Sequence, residues 1–144
     1  KAEPVAGRFS KNLSVLLCED QPDLREVTAS ALRKHGMTVI EASDGREGLK
    51  AFGESQKSIE LIITDVIMPN LGGPEMVKEL GRRHPSRRPL VLFLSGYADN
   101  RLAGYQALDE DVQFLEKPYT QSMLIEKIHA MLNHANATQK GQAA

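Results

Sequence analysis

Short apolar runs alternate with longer amphipathic segments along most of the chain, and this alternation restricts the fold more than any other feature. The apolar runs lie at residues 13–18, 37–41, 61–64, 90–94 and 112–115. Those at 13–18, 61–64 and 90–94 are almost continuously apolar, which is typical of strands covered on both faces, as in a parallel sheet. The pattern predicts five β-α units in an open, doubly wound α/β sandwich.

The segments between the runs carry helix signals. Pro22 suits a first helical turn and Gly36 suits the end of that helix. Asp44 and Thr120 are candidate caps for the second and last helices, and a third helix is predicted at about residues 73–83. In the first helix, the positions expected to face the core are Leu24, Val27, Ala31 and Leu32.

The length of 144 residues suits one domain with a single core. Residues 1–12 and 135–144 lack apolar periodicity, so we expect a disordered linker and a disordered tail around a domain at 13–134. The segment 98–111 is poor in apolar residues and predicts a short or irregular fourth helix. Because the chain begins with Lys1 and not with Met, we expect it to be a processed product or a piece of a longer protein.

Composition excludes several classes of function. Eighteen basic and 19 acidic residues give a net charge of −1, and aromatic residues make up 5%, so we expect no nucleic-acid binding. A single cysteine, Cys18, excludes an internal disulfide and a zinc site built from several cysteines, and we expect it to be buried in a strand. The apolar runs are too short to span a bilayer and no signal peptide is visible, which predicts a cytoplasmic domain without membrane contact.

Polar side chains follow four of the five predicted strands. Glu19 and Asp20 come after the first strand, Asp65 ends the third, Ser95 ends the fourth, and Lys117 follows the fifth. In open parallel sheets, ligands bind at the carboxyl ends of the strands, where the strand order reverses. We therefore expect these side chains to converge on one crevice.

Three carboxylates in one crevice repel each other, by roughly 4 kcal/mol for each pair at 4 Å and an effective dielectric near 20. A Mg²⁺ ion would offset this repulsion, because it binds one or two carboxylates together with waters and a phosphate. Lys117 and Ser95 offer donors to phosphoryl oxygens, and a carboxylate such as Asp65 can form an aspartyl-phosphate. These residues predict a Mg²⁺-assisted phosphoryl site with Asp65 as the nucleophile.

The same residues lie in four segments through which the chain resembles the receiver domains of bacterial two-component response regulators, over about residues 13–132. The segments are LLCED at 16–20, IITDVIMP at 62–69 with GG at 72–73, FLSGY at 93–97, and FLEKPY at 114–119. Their separations also fit the family: 45 residues from Asp20 to Asp65, 30 from there to Ser95, and 22 from there to Lys117. Four motifs in order at these separations are a specific signal.

The resemblance implies a flavodoxin-like (βα)5 fold and a role for each matching residue. Asp65 would accept a phosphoryl group from the phosphohistidine of a histidine kinase domain or of a histidine phosphotransfer protein. Glu19, Asp20 and Asp65 would hold Mg²⁺. Of the first two, Asp20 is the one expected to contact the ion directly. The backbone carbonyl of Ile67 would complete the metal site.

The resemblance also implies a switch. Ser95 and Lys117 would each bind a phosphoryl oxygen, and Phe114 occupies the position of an aromatic residue that turns inward on activation. The surface of the fourth helix, fifth strand and fifth helix would then change. Pro118 would follow a cis peptide bond, which a Lys-Pro pair permits at modest cost.

Two positions beside the site tune the lifetime of the phosphoryl group in this family. Here they are Ile67 and Tyr97, neither of which carries a carboxylate or amide to orient an attacking water. We expect slow self-dephosphorylation.

Several alternatives remain open from the sequence. The domain resembles receivers fused to hybrid sensor histidine kinases, and a stand-alone single-domain regulator is the close alternative. We expect the domain to be a monomer or a weak homodimer. A pseudo-receiver that serves only as an interaction surface is disfavoured by the complete set of site residues. A Mg²⁺-dependent phosphatase with an aspartyl-phosphate intermediate is a further class, but it usually has a second Asp where this chain has Ile67. As a receiver, the domain would catalyse only its own phosphorylation and dephosphorylation.

Overall fold

The computed structural model describes residues 12–55, 58–96 and 111–143. Its strands are β1 (Ser14–Cys18), β2 (Thr38–Ala42), β3 (Leu61–Asp65), β4 (Leu90–Ser95) and β5 (Val112–Glu116). In the described ranges its helices are α1 (Pro22–Lys34), α2 (Gly45–Glu54), α3 (Gly73–Arg83) and α4 (Gln121–Ala143). The helix predicted at 98–111 lies, apart from Asp111, outside the described residues.

The five strands form one parallel sheet in the order β2-β1-β3-β4-β5. Each lies within one or two residues of its predicted run. The strand order reverses at β1, which pairs with β2 on one side and with β3 on the other. The predicted doubly wound α/β fold is confirmed, and the crevice expected for a ligand lies between the carboxyl ends of β1 and β3.

Among the described residues, two helices pack on each face of the sheet. Along β1, Val15 and Leu17 pack toward α1 and α4, whereas Leu16 and Cys18 pack toward α2 and α3. This alternation explains why the central runs are apolar throughout, because successive side chains point to opposite, equally buried faces. The α1/α4 core includes Leu32, Ile63, Leu92, Leu124 and Ile128, and the α2/α3 core includes Phe52, Ile62, Met76, Leu80 and Phe93.

The predicted helix signals act where the sequence places them. Pro22 occupies the first turn of α1, and Gly36 follows the helix with φ of 87°, a conformation that glycine adopts without strain. The Asp44 carboxylate accepts a hydrogen bond from Glu47 N at 2.9 Å, and Thr120 Oγ1 accepts one from Met123 N at 3.1 Å. Both residues therefore cap the helices that they precede.

Two expectations about the helices differ from the structure. Val27 is 51% exposed, because α1 turns Thr28, Ala29 and Leu32 toward the sheet instead. The last helix continues to Ala143, although we expected a disordered tail from residue 135. Ala135 is buried against the α1/α4 core, and the following residues are rich in good helix formers and contain no proline, so the helix has no reason to stop at 134. The segment after residue 134 is too polar to show apolar periodicity, but it is helical.

In the described part of the chain, we find no helix whose length and apolar character would let it cross a membrane.

The start of α3 packs directly on the end of β3. A Cβ atom at Gly73 would overlap the backbone carbonyl oxygen of Asp65 and would lie 3.2 Å from Thr64 Cγ2. We expect Gly73→Ala to lower the free energy of unfolding by about 1–3 kcal/mol, the usual cost of overpacking, as measured by urea denaturation. Gly81, in the same helix, has nothing within 4 Å of an added Cβ.

Gly81→Ala is therefore the matched control, and we expect it to raise stability by up to about 1 kcal/mol. A Gly73→Ala variant as stable as the Gly81→Ala variant would contradict the close contact between α3 and the end of β3.

Candidate functional site

The sheet brings the polar residues at its carboxyl edge into one pocket. Glu19 extends β1 by one residue, since its backbone N–H donates to Ala42 O at 3.0 Å, and Asp65 is the last residue of β3. Lys117 follows β5, and its backbone N–H donates to Ser95 O at 2.8 Å. The ladder hydrogen bonds of the sheet thus fix the backbone positions from which these side chains project.

The three carboxylates predicted to converge do so. Glu19, Asp20 and Asp65 each offer one oxygen within 4.8 Å of the others. Glu19 and Asp65 are buried, with 1% and 4% of their surface exposed, whereas Asp20 lies exposed at the mouth of the pocket. The arrangement leaves two carboxylates largely without water and one in contact with it.

Lys117 supplies the positive charge of the pocket. Its Nζ lies 2.8 Å from Asp65 Oδ1 and 3.8 Å from Glu19 Oε1. Partial burial lowers the pKa of Lys117, but the ion pair with Asp65 and the field of Glu19 outweigh burial, so the pKa is raised overall. Lys117 therefore stays charged at physiological pH.

The crowding of the carboxylates affects the pKa of Glu19. Burial, followed by the adjacent Asp65 carboxyl group, raises the pKa of Glu19 to about 7. Its Oε2 accepts a hydrogen bond from Gln21 N at 3.1 Å, while Oε1 is buried and has no hydrogen-bond partner in the described part of the chain. A buried carboxylate oxygen that accepts no hydrogen bond and has Lys117 Nζ at 3.8 Å, beside two more carboxylates, belongs to a donor set that fits a hard divalent cation.

Two hydrogen bonds fix the backbone where β3 ends and the following loop begins. Thr64 Oγ1 donates to the backbone carbonyl of Asp65 at 2.9 Å, and Gly73 N donates to Val66 O at 2.9 Å. Ile67 lies in this loop, two residues after Asp65, with its side chain 67% exposed.

The remaining predicted residues lie on β4, β5 and the loop that follows. Ser95 is half-buried at the end of β4, and the Lys117–Pro118 peptide bond is cis, as the resemblance implied. Phe114 is half-buried opposite Phe93, with ring centroids 5.7 Å apart and an interplanar angle of 20°. Tyr97 lies outside the described residues.

Two contacts of the site were missed by sequence reasoning. Thr64 anchors the carbonyl of the phosphoacceptor candidate, and Arg25 Nη1 donates to the backbone carbonyl of Glu19 at 2.8 Å. Thr64 looks like an ordinary strand residue, and Arg25 looks like an ordinary charged residue on a helix. A single sequence contains no signal that distinguishes either of them.

Comparison with known proteins decides the family. The model of the response regulator receiver domain matches residues 15–129. The chain belongs to this family. It is a receiver domain of the kind used in two-component signal transduction, and the prediction drawn from the four motifs is confirmed.

Receiver relatives occur in proteins of different architecture. The chain is 34% identical over 127 residues to "Sensor kinase CckA" of Brucella abortus, covering 88% of this chain and 13% of that protein. It is 29% identical to "Response regulator receiver protein CpdR" of the same organism, covering 82% of this chain and 95% of that protein. A crystal structure of the receiver domain from the hybrid histidine kinase CckA matches with a TM-score of 0.67 and 35% identity, covering 83% of this chain and 98% of that one.

Several of the relatives are much longer than this chain, which spans only part of their length. It covers 13% of CckA and 52% of the probable transcriptional regulatory protein TcrX of Mycobacterium tuberculosis.

The crowding of carboxylates predicts a stability gain when one charge is removed. In EDTA at pH 8, above the pKa of Glu19, we expect Glu19→Gln to raise the free energy of unfolding by roughly 1–3 kcal/mol, the scale for a buried polar group that is incompletely hydrogen-bonded. Burial raises the pKa of this acid from 4.5 to about 7 on folding, so its charge lowers stability as pH rises from about 4.5 to 7, and the loss is complete above pH 7. The gain should therefore shrink as pH falls below 7 and vanish below about pH 4.5. Asp20→Asn, at the exposed mouth, should gain less, and equal gains would contradict the burial argument.

Proposed function

We propose that Asp65 accepts a phosphoryl group from the phosphohistidine of a histidine kinase domain or of a histidine phosphotransfer protein. The observation that carries this proposal is the contact of 2.8 Å between Lys117 Nζ and Asp65 Oδ1, inside a pocket where three carboxylates meet. It places a buried carboxylate next to a permanent cation at the positions that match the family's motifs.

The pocket also supports a role for Mg²⁺. Glu19, Asp20 and Asp65, together with the backbone carbonyl of Ile67, are the residues that would hold the ion. A bound divalent cation supplies neutralisation of the carboxylates and of the incoming phosphoryl oxygens. Glu19 Oε1, which is buried and accepts no hydrogen bond in the described part of the chain, supports this assignment.

The proposed transfer requires little covalent chemistry from the protein. The bond between phosphorus and the imidazole nitrogen breaks, and a bond forms between phosphorus and a carboxylate oxygen of Asp65, so the electron pair returns to the imidazole. Lys117 Nζ pairs with one phosphoryl oxygen, and the Ser95 hydroxyl donates to another. Positioning and charge compensation therefore account for most of the catalysis.

The switch would follow from these new contacts. A phosphoryl group adds charge and acceptor oxygens at Asp65, which draws Ser95 and Lys117 toward it. Phe114, which is half-buried against Phe93, would turn inward when Ser95 moves. Reversing a 1:99 equilibrium needs about 5.5 kcal/mol of preference for the active form, which two or three charge-assisted hydrogen bonds supply.

We place this domain within a hybrid sensor histidine kinase, in the cytoplasm. The resemblance to CckA, of which the chain covers one small part, supports this architecture. Cys18 is a buried free thiol, consistent with a reducing compartment. A stand-alone regulator is the alternative, supported by CpdR, nearly all of whose length the chain covers.

Phosphorylation is tested with a small phosphodonor. Incubated with acetyl phosphate and Mg²⁺, the chain should give a retarded band in a phosphate-affinity gel, because Asp65 and its pocket suffice for transfer. Asp65→Asn should abolish the band, and EDTA should prevent it.

Two outcomes would contradict the proposal. A band retained in Asp65→Asn would assign the phosphoryl group to another residue. No band from folded protein, followed by no transfer from a phosphorylated histidine kinase, would leave a pseudo-receiver that acts only as an interaction surface.

The lifetime of the phosphoryl group provides a second test. We expect slow hydrolysis, because Ile67 offers no group that orients a water molecule, and its exposed side chain lies on the loop that borders the pocket. Ile67→Asn should shorten the half-life severalfold in a hydrolysis time course monitored on the same gel. A half-life of seconds that Ile67→Asn leaves unchanged would contradict this account.

A further inference from the structure

We propose that Arg25 is a positioning residue of the acidic pocket, which it serves by holding the backbone that joins Glu19 to Asp20. The inference rests on the proposed metal-dependent function of the same pocket. It concerns a residue of α1 that offers no ligand atom itself and lies behind the pocket.

The contacts of Arg25 reach two elements. Its Nη1 donates to the backbone carbonyl of Glu19 at 2.8 Å, and its Nε lies 3.4 Å from Glu41 Oε1. Glu41 lies in β2, the neighbour of β1, and its other oxygen is 3.1 Å from Arg33 Nη1. The Arg25 side chain is only 21% exposed, so it is held on both sides and largely shielded from water.

The geometry of the peptide bond makes the carbonyl contact important. The carbonyl of Glu19 and the N–H of Asp20 belong to one planar unit. Fixing the direction of that carbonyl therefore fixes the plane from which the Asp20 backbone continues. One hydrogen bond thus restrains the peptide unit that joins two of the three carboxylate-bearing residues.

Few other contacts restrain this unit in the described part of the chain. Glu19 N is tied to Ala42 O, which fixes the preceding peptide, and Glu19 Oε2 is tied to Gln21 N. The Asp20 side chain is exposed. Arg25 is therefore the side chain that connects the Glu19–Asp20 peptide to the rest of α1 and to the sheet.

Charge and positioning have opposite effects on metal binding. Arg25 carries a positive charge near the pocket, so neutralising it should strengthen cation binding if only electrostatics acts. Loss of positioning should weaken binding instead, because residues that orient metal ligands typically contribute 10- to 100-fold in affinity. The sign of the change separates the two effects.

Arg33 is a matched control. It lies in the same helix, pairs with the same Glu41, and donates through Nη2 to a backbone carbonyl, that of Val39 at 2.9 Å. Its hydrogen bonds go to Glu41 and Val39 and not to Glu19, and its removal changes the net charge equally.

The experiment is a Mg²⁺ titration of the 144-residue chain, monitored by the amide chemical shifts of ¹⁵N-labelled protein. We expect Arg25→Gln to raise the Mg²⁺ dissociation constant by about tenfold. Arg25→Lys keeps the charge but not the forked geometry, and we expect a similar loss. Arg33→Gln should leave the constant unchanged or slightly lower. Spectra without Mg²⁺ verify that each variant is folded.

Each contrary outcome has a distinct meaning. Unchanged or tighter Mg²⁺ binding by both Arg25 variants would overturn the positioning role while leaving the proposed function intact. An equal loss in Arg33→Gln would also overturn it, because the effect would then belong to α1 as a whole. Absence of Mg²⁺ binding by the wild-type chain would overturn the metal site and this inference together.

Discussion

The crowding of Glu19, Asp20 and Asp65 at one edge of the sheet is the constraint on which the rest of the structure depends. Two of these carboxylates are buried, and within the described residues Lys117 is the cation that contacts them. An isolated folding unit would gain stability by separating them. The pocket instead keeps them together, which is the arrangement expected where a site trades stability for the capacity to bind a cation and an anion.

The parallel sheet is what makes such crowding possible. Strands β1 and β3 are neighbours at the point where the strand order reverses, so the residues that follow them emerge side by side. Both faces of these strands are covered by packed helices, which leaves the backbone little freedom to relieve the repulsion. Contacts behind the pocket, such as Thr64 with Asp65 and Arg25 with Glu19, restrain the positions further.

Much of the fold followed from the sequence because apolar period and capping chemistry are local properties. The continuous run at residues 61–64 identified a strand buried on both faces, and Asp44 and Thr120 capped the helices they precede. The prediction that Val27 faces the core was wrong, because helical spacing alone does not specify which of two adjacent residues α1 turns toward the sheet. The prediction of a disordered tail after residue 134 was wrong, because residues with high helix propensity extend α4 even without an apolar stripe. The convergence of Glu19, Asp65 and Lys117 was predictable from the strand-end rule.

The supporting contacts could not be predicted in the same way. The bond from Arg25 to the Glu19 carbonyl depends on how α1 lies against β2, and the clearance at Gly73 depends on how closely α3 approaches β3. Both are properties of tertiary packing. A sequence pattern specifies which elements form and only loosely how far apart they lie.

The central claim, that Asp65 is the phosphoacceptor, is tested most directly by locating the modification. After treatment with acetyl phosphate and Mg²⁺, borohydride reduction converts an aspartyl-phosphate into homoserine, which tandem mass spectrometry locates in tryptic peptides. Tryptic cleavage places Asp65 in the peptide 58–78 and Asp20 in the peptide 12–25. We predict homoserine at position 65 alone. Homoserine at position 20 would contradict the account. So would a phosphoryl group on a histidine when no homoserine is found at position 65.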